Sequence, residues 1–362
     1  MSMKCGIVGL PNVGKSTLFN TLGSAKADAA NYPFCTIEPN VSIVNVPDKR
    51  LEKIAEMIKA QRTVYANTQI VDIAGIVKGA SKGEGLGNKF LQHIREVDAV
   101  VHLVRCFVND DIVHVNGKID PASDIEVVNT ELVLADMEAI DKRLDRDRRA
   151  AKAGDKDARK MQEIIEKLKP HMDAGKPARS FPLEPDEKEM LKPLFLLTMK
   201  PMLYVANTSS KPEEKQYTDI VKKIADDEGA QFLIIDGGME SEIAQLPEAD
   251  RGEFLKEMGL EESGLARFIH STFELLGLST YYTAGVKEAR AWTIPKNAKA
   301  PQAAGVIHTD FERGFICAET YKAEDLFKLG SEAKIREAGL MRQEGKEYSV
   351  QSGDVITFRF NV

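Results

Sequence analysis

Three things are scarce in this chain of 362 residues. Cysteine occurs only at positions 5, 35, 106 and 317, with no C-x-x-C spacing. That excludes a disulfide framework and a cysteine-based zinc site, and it points to reduced thiols. Long apolar runs are missing as well. Nothing approaches the roughly 18 consecutive apolar residues of a membrane-spanning helix. An apolar strand, Lys4-Cys5-Gly6-Ile7-Val8, starts almost at the N-terminus. It leaves no room for a secretory signal, so a cytoplasmic protein is expected. A dominant charge of one sign is also absent. A formal net charge of −7, with 29% charged and 43% hydrophobic residues, is ordinary for a globular protein. The length suits two or three domains.

What is present is a complete G-x-x-x-x-G-K-S loop at residues 9–16, Gly-Leu-Pro-Asn-Val-Gly-Lys-Ser. In such a loop successive backbone N–H groups turn inward around phosphates. Lys15 reaches the β- and γ-phosphates, and the Ser16 hydroxyl ligates Mg²⁺. Strand-like residues precede it and helix-forming residues follow, so the helix N-terminus adds its dipole to the same anion site. Asn12, Val13, Gly14, Lys15, Ser16 and Thr17 are the candidate phosphate contacts. Further on, Val71-Asp72-Ile73-Ala74-Gly75 is a strand ending in D-x-x-G. Asp72 is placed to hold Mg²⁺, and the Gly75 N–H to meet a γ-phosphate. Thr36, between the two motifs, stands where a third Mg²⁺ ligand belongs.

The stretch Asp72–Leu91, rich in glycine, resembles the second switch of the Obg-related P-loop proteins. Asn31–Asn40, Asn109–His114 and Asp354–Val362 resemble the YchF subfamily, the Obg-like ATPases, and the likeness runs essentially end to end. The resemblance implies a P-loop NTPase domain, Mg²⁺ as cofactor, ATP as substrate, a C-terminal β-grasp-like TGS domain and a ribosome or rRNA partner. A monomer is expected.

Apolar strands at 4–8, 69–73, 98–105, 201–206 and 231–235 alternate with helical patterns. This is the signature of an α/β, doubly wound, mostly parallel sheet, with its ligand site at the C-terminal strand ends. The alternation stops near 132 and resumes near 200. Val133, Met137, Ile140 and Leu144 form one apolar seam, and Met161, Ile165, Leu168 and Met172 a second. Their spacing predicts an antiparallel coiled-coil hairpin with its turn at Gly154-Asp155. Residues 142–160 hold nine Lys and Arg against four Asp. That is either a solvated helical face or a polyanion contact. From about 279 short strands recur. The expected division is therefore 1–131 with 198–278 for nucleotide binding, 132–197 for the hairpin and 279–362 for the TGS domain.

Guanine-selective P-loop proteins read the base with N-K-x-D. Here the strand at 201–206 runs into Asn207-Thr208-Ser209-Ser210. A neutral Ser210 cannot make the charged contact to guanine, so the main reason to prefer GTP is missing. The family pattern usually has Glu at this position, and Asp236-Gly237-Gly238 stands where a Ser-Ala pair is expected. Asn207 and Thr208 are the base-site candidates, with Phe107 a stacking surface by resemblance. Ile76 follows Gly75, where small GTPases carry the water-positioning glutamine. Of the histidines, His102 reads as core and His93 as a helix-surface residue. His308 reads as structural. His114, in a polar loop beyond a strand end, is suited to polarise water, and the subfamily pattern places a catalytic histidine there. The expected activity is a Mg²⁺-dependent ATPase working as a nucleotide switch. The alternatives are a GTPase of relaxed base choice and a nucleotide-sensing module with negligible turnover.

Overall fold

The computed structural model describes residues 3–23, 40–73, 86–114 and 117–361. Thr36, Gly75 and most of both switch segments lie outside them. Contacts divide the chain into two units. One comprises Met1–Ser24, Ile37–Ser42 and Gln69–Phe268, and the other Ala25–Thr36, Ile43–Thr68 and Ile269–Val362. Twelve strands are described: β1 (Lys4–Val8), β2 (Val41–Asn45), β3 (Thr63–Val64), β4 (Asn67–Asp72), β5 (Ala99–Arg105), β6 (Met202–Asn207), β7 (Gln231–Ile235), β8 (Leu278–Ala284), β9 (Ala289–Pro295), β10 (Phe315–Lys322), β11 (Arg342–Glu344) and β12 (Asp354–Phe360).

The first sheet has the order β2-β4-β1-β5-β6-β7. From β4 to β7 the neighbours run parallel. Every residue of β5 and β6 is buried, as central parallel strands covered on both faces require. The edge strand β2 alternates buried and half-buried positions instead. Five strand positions expected from the sequence are found within two residues. Their C-terminal ends gather four loops: the phosphate loop after β1, residues 106–114 after β5, 207–210 after β6 and 236–238 after β7.

The hairpin is present. A helix of 32 residues, Pro121–Lys152, is capped by Asp120, which accepts from Ser123 N at 3.2 Å. It turns at Gly154 (φ 95°) into the return helix Lys156–Asp173, capped by Asp155. Val133, Ile140 and Leu144 pack with Met161, Ile165, Leu168 and Met172 in one core, and Met137 is partly buried against it. Its exposed ion pairs contribute about 0–1 kcal/mol each, while burying one such side chain contributes about 1.5–3 kcal/mol. The apolar seam therefore holds the hairpin. The long helix begins eleven residues before the pattern break at 132, because its first turns pack on the sheet rather than on the return helix. Asn129 there donates to Tyr204 Oη at 3.2 Å and to Glu228 Oε1 at 2.8 Å, and Arg179 ion-pairs with Glu228. Removing either charge of that pair would strand the other in a largely buried site.

The second unit carries the sheet β11-β10-β12-β8-β9-β3. Its β8–β9 and β10–β12 pairs are antiparallel, β12–β8 and β3–β9 parallel. Tyr281, Ile294, Phe315, Ile356 and Phe358 centre its core. Asp354, fully buried at the start of β12, accepts from Tyr348 Oη at 2.6 Å and Gln351 N at 2.9 Å, and pairs with Lys322 at 2.7 Å. That buried carboxylate ties three segments together.

Candidate nucleotide site

The phosphate loop owes its path to two left-handed residues, Asn12 (φ 63°) and Gly14 (φ 93°). Gly14 ends the loop at the N-terminus of the helix Lys15–Leu22, whose first turn has no acidic residue and no side-chain cap. Its free N–H groups suit an anion. A side chain at Gly14 would be strained and would also collide with the Asn207 amide. Lys15 forms an ion pair with Asp72 at the end of β4.

From this loop a cavity of about 810 Å³ runs along the strand ends. Asn12, Gly14, Lys15, Ser16, Thr17, Phe107, Asn207 and Thr208, all expected site residues, line it. Val13, the other expected contact in the loop, is buried and does not line the cavity; its backbone carbonyl accepts from Asn207 Nδ2. Asn109, Ile112, Ser209 and Asp236–Gly238 complete the wall, together with Leu10 and Pro11.

Asn207 sits at the middle. Its Nδ2 donates to Val13 O at 2.9 Å, and its Oδ1 accepts from Gly237 N at 3.0 Å. Both ends of the amide thus join the phosphate loop to the loop after β7, and Asn207 acts through the backbone it positions. Thr208 is also committed, since its hydroxyl donates to Glu214 Oε2 at 2.6 Å. Glu214 is fully buried and further accepts from Val108 N, Ser209 N and Ser209 Oγ at 2.7–2.8 Å. Burial alone would raise its pKa. The hydrogen bonds from Thr208, Ser209 and Val108 outweigh burial and hold the carboxyl down at about 2. Sequence reading missed Glu214, because an acid in Lys211-Pro-Glu-Glu looks like ordinary helix-start charge.

The loop after β5 is organised by Arg105, buried at the strand's end. It donates to the carbonyls of Phe107, Asn109 and Ile112 at 3.3, 3.2 and 2.9 Å and stacks 4.4 Å from the Phe107 ring centroid. Asn12 Nδ2 donates to Val113 O at 3.1 Å, which fastens that loop to the phosphate loop. His114 closes the loop. It is buried, with Nε2 3.0 Å from Asp124 Oδ2 in the first turn of the long helix, and among the described residues it does not line the cavity. His102 is a core residue whose pKa burial pushes down to about 3, with Arg179 adding to the effect. His308 caps a short helix, accepting from Asp310 N at 3.2 Å.

A phosphate loop at a helix N-terminus, a D-x-x-G aspartate paired with its lysine and a cavity leading to a strand-end loop define a P-loop NTPase. A family profile described as 50S ribosome-binding GTPase matches residues 4–167, and a YchF-GTPase C-terminal profile, described as a protein of unknown function, matches 278–361. Two curated proteins named Ribosome-binding ATPase YchF are similar over 100% of both chains, at 54% identity in Bacillus subtilis and 53% in Escherichia coli O157:H7. A solved structure described as the Schizosaccharomyces pombe YchF GTPase is 37% identical, with a TM-score of 0.87 over 99% of this chain and 98% of that one. The chain belongs to the YchF family.

Glu214→Gln places an amide where four donors converge, and should cost about 1–3 kcal/mol in urea denaturation at neutral pH. A depressed folded-state pKa means that the carboxylate's contribution is complete above the ordinary value of 4.5 and is lost as pH falls toward about 2. The gap between wild type and variant should therefore narrow across that window.

Proposed function

We propose that this chain is a Mg²⁺-dependent ATPase that cycles between nucleotide states and binds the ribosome, acting as a cytoplasmic monomer. The observation that carries the nucleotide part is the phosphate loop wound onto a helix N-terminus with Lys15 and Asp72 paired beside it. The Ser16 hydroxyl and the Asp72 carboxylate are hard oxygen donors and fit Mg²⁺, with Thr36 completing the set. Held there, Mg²⁺ would supply charge neutralisation at the phosphates. Lys15 then exchanges Asp72 for phosphate, and the Gly75 N–H meets the γ-phosphate. Phe107 offers a ring face to the base, and the Thr208 backbone an edge. ATP is the favoured substrate because N-K-x-D is absent and the curated bacterial relatives are named as ATPases. A GTPase of relaxed base choice is the second reading. The carboxylate of Asp236 at the base end of the cavity supports it, as does the name of the fission-yeast relative.

His114 is the proposed water-positioning group, since Ile76 cannot orient water. Its present place beside Asp124 means that the loop after β5 must shift for His114 to meet a bound nucleotide. Steady-state turnover of ATP and GTP, measured with wild type and His114→Ala, tests both points. ATP should be used at least as well as GTP. His114→Ala should lower kcat by about 10²–10⁴ while leaving the ATP dissociation constant nearly unchanged. A tenfold advantage for GTP would overturn the adenine preference. Joint loss of binding and melting temperature in His114→Ala would make this residue structural.

The expected division into a nucleotide-binding part (1–131 and 198–278), a hairpin (132–197) and a TGS domain (279–362) gives the ribosome two candidate surfaces. In the hairpin many basic side chains are already engaged: Arg143 and Arg146 with Asp147, Arg148 with Glu166, Arg159 with Glu163 and Lys160 with Asp186. Arg149, Lys152 and Lys156, around the tip, make no ion pair among the described residues. These three are the proposed phosphate contacts, a narrower set than the basic stretch at 142–160. Reversing them to Glu should weaken co-sedimentation with ribosomes and flatten its salt dependence, with ATP turnover retained. Wild-type co-sedimentation across a salt series would remove the hairpin tip from the interface.

A further inference from the structure

The far end of the cavity is walled by Phe107, Thr208, Ser209 and Asp236–Gly238. Most polar side chains there are consumed internally. The Thr208 and Ser209 hydroxyls both go to Glu214, and the Asn207 amide is bonded at both ends. Asp236 differs. It is half-buried on the cavity wall, and among the described residues each of its oxygens has one protein donor, Met239 N on Oδ1 at 3.0 Å and Ser210 Oγ on Oδ2 at 3.1 Å. An ionised carboxylate offers about four lone-pair sites, so each oxygen keeps capacity for another donor.

Capping the helix Gly237–Gln245 does not account for this arrangement. One oxygen performs the cap, and Ser or Asn would serve as well. The second oxygen is held by Ser210, a non-glycine residue in the left-handed region (φ 61°). That conformation is uncommon for serine. It belongs to the turn that brings the hydroxyl to Asp236. The chain carries a neutral residue at 210 and a carboxylate at 236. Negative charge is thus present at the base end, supplied by the loop after β7.

We propose that Asp236, oriented by Ser210, reads the purine base by accepting a hydrogen bond from its exocyclic amine. Asp236 is the specificity residue and Ser210 its positioning residue. A base lacking that amine leaves a half-buried carboxylate short of a donor, which is where discrimination arises. The inference rests on the reading of this cavity as the nucleotide site.

The test is equilibrium binding of two nucleotide pairs that differ only in that amine: ATP against purine riboside triphosphate, and GTP against ITP. Wild type should prefer the amine-bearing member of at least one pair by about tenfold. The pair affected identifies the 6-amino group of adenine or the 2-amino group of guanine. Asp236→Ser keeps a capping hydroxyl, and there the preference should fall to within about twofold. Equal affinities in both pairs for wild type would overturn the proposal, whatever the variant does. So would a preference that persists in Asp236→Ser, or in Asp236→Gly, which also lacks the carbonyl acceptor and is tolerated at a helix N-cap, should the serine variant fail to fold. Lys15→Ala separates the two layers of the argument. If it binds all four nucleotides as wild type does, the nucleotide reading of the cavity fails; if it loses them while Asp236→Ser leaves the preference intact, only the base-reading role fails.

Discussion

The side-chain amide of Asn207 is the contact on which the rest of the site depends. It stands at the end of a fully buried central strand and spends its donor on the phosphate loop and its acceptor on the loop after β7. The phosphate loop at Val13 and the loop at Gly237, far apart in sequence, are thereby held as two ends of one cavity. The constraint reaches outward. Gly14 must lack a side chain because the amide occupies the space where one would project. Gly237 is limited in the same way, since a Cβ there would stand 3.1 Å from Asn207 Oδ1. An amide is the side chain that can both donate and accept in this position.

Around Asn207 the loops are held by buried polar groups. Glu214 gathers donors from residues 108, 208 and 209, and Arg105 gathers the carbonyls of 107, 109 and 112. Each such bond is worth only about 1 kcal/mol net, yet a partner left unpaired costs about 1–3 kcal/mol. The loops therefore have few alternative conformations. The loop after β5 is held by Arg105, Asn12 and Glu214, and in the proposed mechanism it is the segment that would carry His114 toward a bound nucleotide.

Much of the fold was legible in the sequence, because hydrophobic periodicity and glycine placement encode it locally. The phosphate loop, the five core strands and the two seams of the hairpin were found where the pattern put them. The long helix was placed late, since its first turns bury Ile125 and Val128 against the sheet and do not follow the seam. Strand β3 was not anticipated: two residues paired to β9 across 226 positions leave no periodic trace. At the site, the motif residues Lys15, Ser16 and Asp72 were visible by type. Arg105, Glu214 and the bridging role of Asn207 were not, because their importance lies in which backbone groups they meet after folding. Asp236 showed only as a departure from the family pattern, and its hydrogen bond to Ser210 gave that departure a physical meaning.

In the proposed reading, the phosphate loop and the loop after β7 form one nucleotide site joined by Asn207. Asn207→Asp isolates the joint, because a carboxylate still accepts from Gly237 N but cannot donate to Val13 O. Calorimetric titration of ATP into this variant and the wild type is the direct measurement. Asn207→Asp should lose at least tenfold in affinity, about 1.4 kcal/mol, while remaining folded. Wild-type affinity in Asn207→Asp would contradict it.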